Sequence, residues 1–142
     1  MTKVLSYDET RVPISQSQME IRRMIYAHKG TGMNFMSQPP REGFEALVTM
    51  GEQGYHIRVM ATCRKVSNRD QEERRVWRVL HWHLKAMFVA ADSGVIAIED
   101  IIMPYIVTPD GRTIAEHIAP KLAEMRGITQ EKLLTTALGE RR

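Results

Sequence analysis

Cysteine, aromatic residues, long apolar runs and any large excess of one charge are all scarce in this 142-residue chain. The single cysteine, Cys63, has no partner for an internal disulfide, so cross-linking does not substitute for a core and a reducing compartment is expected. No run approaches the roughly 20 apolar residues that a membrane-spanning helix needs. The opening Met1-Thr2-Lys3-Val4-Leu5-Ser6-Tyr7-Asp8 lacks the apolar stretch and small-residue cleavage site of a secretory signal. A cytoplasmic protein with no membrane association is the expectation. Aromatics are only 6%, but 43% hydrophobic and 26% charged residues form an ordinary globular mixture, which excludes wholesale disorder and fibrous repeats. The length suits one domain, 1–142, with 1–12 as a flexible arm, and is too short for a multidomain enzyme.

Familiar catalytic signatures are missing as well. There is no P-loop, no G-x-G-x-x-G after a strand, no H-E-x-x-H and no G-x-S-x-G. The chain is therefore read as a non-enzyme, with no cofactor and no metal site. His81 and His83, at i and i+2 on a helix, point to different sides, whereas helical ligand pairs use i, i+3 or i+4. His83 is expected to be semi-buried and hydrogen-bonded, and His81 to be a solvated member of a basic stripe. Cys63, beside Arg64 and Lys65, is either an activated thiol or a small hydrophobe; with no base identified, the second reading is preferred. Glu99 and Asp100 suit the first turn of a helix, whose dipole favours acids. The ten methionines are packing material first and an adaptable contact surface second.

What is present reads as α+β: a small three-stranded antiparallel sheet with an N-terminal helix and a C-terminal set of helices. After an arm whose Lys3-Val4-Leu5 could pair at a sheet edge, Met19, Ile21, Met24 and Ile25 predict a helix over about 16–29, capped by Ser15 and stopped by Gly30. A short strand over 31–37 ends at Pro39-Pro40. Phe44–Met50 and Tyr55–Thr62, joined by a Gly-bounded turn, predict a hairpin with Tyr55, Ile57, Val59 and Ala61 inward and His56, Arg58 and Met60 outward. The longest helical pattern runs from Asp70 to Ala91, with Ser67-Asn68 as its loop and cap. Val76, Trp77, Leu80, Leu84, Met87, Phe88 and Ala91 line its apolar side, and Arg74, Arg78, His81 and Lys85 lie across from them. Residues 95–107 fit a short helix or a buried strand, and Glu99-Asp100 with the 98, 101, 102, 105 spacing favours the helix; 108–112 predict a Pro-Asp-Gly turn, 113–125 a helix kinked at Pro120, and Thr129 caps a last helix.

Net charge is +3 and pI about 9.2, yet the distribution is uneven. Residues 1–57 are net 0, residues 58–85 carry eight basic against three acidic groups for a net of +5, and residues 86–142 are net −2. Fourteen of the 20 cations are Arg, suited to bidentate phosphate contacts and ring stacking. Arg58, Arg64, Lys65, Arg69, Arg74, Arg78 and Lys85, with Trp82 for stacking, are therefore the candidate nucleic-acid-binding residues. They are expected to converge on one track from hairpin to helix. The bland alternative is a solvated mixed-charge face next to Asp70, Glu72 and Glu73, with Trp82 buried against another element or another protomer.

Within Arg74–Ile118, the pieces Arg75-Val76-Trp77-Arg78, Leu84-Lys85-Ala86, Ser93-Gly94-Val95, Glu99-Asp100-Ile101 and Pro104-Tyr105-Ile106-Val107-Thr108-Pro109-Asp110-Gly111-Arg112-Thr113-Ile114 form a recognisable series. It resembles a family of small, uncharacterised bacteriophage and prophage proteins. The resemblance implies a helix-leading, three-strand, multi-helix unit at work in the host cytoplasm among DNA replication, recombination or host-takeover genes. The expected function is a non-enzymatic phage DNA-metabolism protein that binds single-stranded DNA, forms a homo-oligomer and meets a phage or host replication or recombination protein. The rival expectation is a protein-interaction module, an inhibitor or adaptor of a host enzyme.

Overall fold

In the computed structural model the described residues are 7–50 and 52–125, so the Lys3-Val4-Leu5 strand and the Thr129-capped helix lie outside them. The chain runs α1 (Ile14–Ala27), β1 (Gly32–Gln38), β2 (Arg41–Met50), β3 (Gln53–Thr62), α2 (Arg69–Ser93) and α3 (Ile98–Ile102). A 3₁₀ turn (Met103–Tyr105), α4 (Ile114–Ile118), a second 3₁₀ turn (Ala119–Lys121) and α5 (Leu122–Met125) follow. The three strands form an antiparallel meander in the order β1-β2-β3. This is the α+β architecture that the alternation and helical periods predict.

Each strand obeys the period of two. Phe44, Ala46, Val48 and Met50 of β2 pair with Val59, Ile57, Tyr55 and Gln53 of β3, and the apolar members of this row bury one face. Arg58 stands outward opposite Glu45. Gly43, between Met36 and Met60, admits a side chain only if the backbone shifts: a Cβ there would lie 2.1 Å from the Val59 carbonyl oxygen. The edge of β3 is extended by Ile106–Val107, which bridges Ile57 and is bridged in turn by Thr113.

Both long helices cover the inward face. Phe35 meets Trp77 edge-on with ring centroids 5.5 Å apart. Ile21 and Ile25 of α1, the β2 and β3 rows, and Val76, Leu80, Leu84 and Phe88 of α2 close one core with Ile102 from α3. Burying this set removes several residues' worth of apolar side chain from water, each contributing roughly 1.5–3 kcal/mol. Contacts between α1 and α2 advance in the same direction along both: Ser17 with Arg78, Glu20 with His81, and His28 with Asp92. The helices are thus parallel, because an odd number of strands separates them.

The punctuation follows local chemistry. Asn68 caps α2, accepting from the Gln71 N–H at 3.1 Å, and Gly94 ends it in the left-handed region with φ of 70°. Pro13, not Ser15, occupies the N-cap of α1: its extended ψ of 151° sets the entry, and Ser15 falls inside the first turn. Thr113 caps α4 at 3.2 Å from the Glu116 N–H, and Gly111 takes a φ of 85° in the Pro-Asp-Gly turn.

Candidate nucleic-acid interface

The sheet and the helix layer decide what happens to the expected track. The side of α2 across from its apolar residues is not open water, for α1 packs along it. Arg78 and His81 are each only 7% exposed. The Arg78 guanidinium donates to Glu20 and, at 3.2 Å, to the fully buried Ser17 hydroxyl. The His81 Nε2 lies 3.4 Å from Glu20, and burial together with Arg78 pushes its pKa below the ordinary value. The expectation of a solvated His81 and a phosphate-facing Arg78 is corrected here: the stripe Arg74, Arg78, His81, Lys85 is the seam between two helices. Only its ends are free of carboxylates. Arg74 donates to the Gln71 side-chain oxygen at 2.6 and 3.1 Å, and Lys85 has no ion-pair partner among the described residues.

Arg58 lies on the opposite face of the sheet from α2. It donates two hydrogen bonds to its cross-strand neighbour Glu45, at 2.7 and 3.0 Å, and a third to the Gly111 carbonyl at 2.8 Å. It cannot join a surface that includes the helices. At the start of α2, Glu72 is 2% exposed and receives the Arg64 N–H at 2.6 Å, the Arg64 guanidinium at 2.9 Å and the Arg75 guanidinium at 2.7 and 2.8 Å. These donors hold its carboxyl well below the usual range, those of Arg75 contributing most. Asp8 adds a contact to Arg64 at 3.0 Å. Arg69 pairs with Glu73 at 3.3 Å, while Lys65 is exposed without an ion-pair partner among the described residues. The structure therefore does not gather the eight candidates into one continuous track.

Trp82 is 40% exposed, so of the two ways of burying it, packing against another element of the same chain does not occur among the described residues. The Lys85 ammonium sits 4.8 Å from its ring centroid and His81 meets it edge-on at 4.9 Å. Cations that sequence reasoning passed over belong to the same layer: Arg11, Arg23 and Lys29 are exposed and have no ion-pair partner among the described residues, and Tyr26 is 52% exposed. In the sequence Arg23 and Lys29 read only as the ordinary polar face of a helix packed on one side, and Arg22 lies over the Phe35 ring at 5.2 Å.

No protein family, curated protein or solved structure compared with this chain matches it.

Other polar clusters have structural explanations. The His117 Nε2 lies 3.0 Å from the Thr108 hydroxyl and 3.1 Å from Asp110. A hydroxyl–imidazole–carboxylate relay needs the carboxylate on the other ring nitrogen, so this set pins the turn instead. Asp110 is lowered to about 2, chiefly by the hydrogen bond from Thr108. His83 keeps a 2.8 Å hydrogen bond to the Tyr105 hydroxyl, and burial lowers its pKa. Burial, then Glu42, raises the Cys63 thiol above its ordinary range, in keeping with the small-hydrophobe reading. Among the described residues no group of three His, Cys, Asp or Glu could hold a metal ion, and no helix is long and apolar enough to cross a membrane.

Proposed function

We propose that this chain is a non-enzymatic binder of single-stranded DNA that works from its helix layer, in the bacteriophage setting that the resemblance of residues 74–118 implies. The observation that carries the reading is the half-open Trp82 ring under Lys85, on a layer whose Arg11, Arg23 and Arg74 have no carboxylate partner among the described residues. An exposed indole offers a base a stacking surface worth about 1–3 kcal/mol, and unpaired cations neutralise phosphates. Arg58, Arg64, Arg69 and Arg78 leave the proposed site because their charge is already met by Glu45, Glu72, Glu73 and Glu20. Lys65 stands in the loop that leads into α2, at the end of the layer where Arg11 and Arg74 lie. The reading invokes no cofactor, and the cytoplasm of a host cell is the matching compartment.

Fluorescence anisotropy with a labelled oligo-dT tests it. Three or four neutralised phosphates give a log–log salt slope of about −2 to −3 at roughly −0.7 per contact on a single strand. Arg74→Glu with Lys85→Glu should remove binding while the melting temperature holds. No binding at low salt, or binding indifferent to that pair, overturns the proposal. A second reading, an adaptor for another protein, is favoured by one observation: Val89, Val95, Leu122 and Met125 are 60, 83, 48 and 61% exposed. It expects no salt-dependent oligonucleotide binding.

A further inference from the structure

With the seam against α1 assigned, the truly outward side of α2 is a different stripe. Val79, Trp82, Ala86 and Val89 follow one another at spacings of three, four and three, and all four are exposed, Val79 at 37%, Trp82 at 40% and Val89 at 60%. This is the a/d spacing of helices that pack on each other. Within a single copy nothing among the described residues covers it.

We infer that this stripe is the contact through which two copies of the chain pair, as an antiparallel helix pair about a two-fold axis near position 84. The sequence of sizes is self-complementary about that point. Val79 of one copy meets Val89 of the other, and Trp82 meets Ala86, each contact occurring twice by symmetry. A large ring opposite a methyl is what lets two helices interlock, whereas a parallel pair would oppose Trp82 to Trp82 and Ala86 to Ala86. Lys85 lies close to the axis, held over its own indole. A four-residue stripe gives each copy well under the ~800 Å² of a standard interface, so pairing is weak and concentration-dependent. It goes beyond the nucleic-acid reading and does not rest on it. Pairing covers Trp82, so the copy that stacks on a base is the unpaired one.

Sedimentation equilibrium of the full chain, without nucleic acid and up to about millimolar concentration, tests the pairing. The unsubstituted chain should shift from monomer to dimer as concentration rises, and Ala86→Glu should weaken the dimer about tenfold or more by placing a charge at its centre. Because residue 86 is exposed, that variant keeps its fold, which circular dichroism checks. In a Cys63→Ser background, Val79→Cys mixed with Val89→Cys should oxidise to a cross-linked dimer, and Val79→Cys alone should not. A monomer at every concentration, a dimer indifferent to Ala86→Glu, or cross-linking of Val79→Cys to itself overturns the inference. The oligonucleotide result stands or falls separately, since no nucleic acid enters this experiment.

Discussion

Replacing Glu72 by glutamine keeps the shape of the side chain and removes the charge on which Arg64 and Arg75 converge. Glu72 is 2% exposed and accepts from both guanidinium groups and from one backbone N–H. Breaking a buried pair by removing one partner costs about 3–5 kcal/mol. Arg64 is half exposed and Arg75 largely covered; water takes back part of the first loss, which leaves about 2–3 kcal/mol. For a domain of this size that is a fall of about 6–12 °C in melting temperature, at roughly 3–4 °C per kcal/mol. The pH dependence has a definite sign. The folded carboxyl titrates below its ordinary value near 4.3, so its stabilisation is complete above that value and drains as pH falls toward the folded one. Thermal melts followed by circular dichroism should show the gap between parent and Glu72→Gln full at pH 7 and narrowing from pH 5 to pH 2. A gap under about 2 °C at pH 7, or one that persists unchanged at pH 2, refutes the reasoning.

Four further outcomes are expected. Arg78→Ala should lower stability by about 2–4 kcal/mol, because Glu20 and Ser17 lose their donor at a buried seam, and should leave oligonucleotide affinity per folded molecule unchanged; chemical denaturation beside anisotropy checks both. Gly43→Ala should cost more than Gly94→Ala. The first forces a Cβ within 2.8 Å of the Met60 Cα, whereas the second meets open space and carries only the roughly 1 kcal/mol of a left-handed backbone; denaturant midpoints rank them. Cys63 should alkylate with iodoacetamide more slowly at pH 7.5 than a free thiol does, with the rate climbing as pH rises, since the thiolate form is disfavoured. His81→Gln should flatten the loss of stability between pH 7 and pH 5: a histidine whose folded pKa is depressed is paid a proton only on unfolding, so acid favours the unfolded chain.

The secondary structure was legible because it depends on local signals. The alternation in Phe44–Met50 and Tyr55–Thr62, Asn68 at one end of the long helix and Gly94 at the other, and the Pro-Asp-Gly turn at 108–112 all stand where the chain places them. The site was legible only in part. Periodicity showed that Arg74, Arg78, His81 and Lys85 share one side of a helix, but a helical wheel cannot say which side a neighbouring helix takes. That decision belongs to α1, whose Ser17 and Glu20 carry the complementary groups 61 and 58 residues away. Arg58 was correctly placed on the outward side of its strand, and the sense in which the helices cover the sheet then separated it from the others. Charge counted along the sequence could not anticipate that Glu45 and Glu72 already stand opposite those arginines.

The parallel course of α1 and α2 has an electrical consequence. Antiparallel neighbours cancel their peptide dipoles; here 14 and 25 residues of aligned peptides point the same way, and each helix contributes about half a positive charge at the end near Arg11 and Arg74 and half a negative charge at the end near Asp92. The molecule is an axial dipole built from backbone, which side-chain substitution can modulate but not abolish. In dilute salt it should orient in an applied field, and an approaching polyanion should be turned to meet the Arg11 end first.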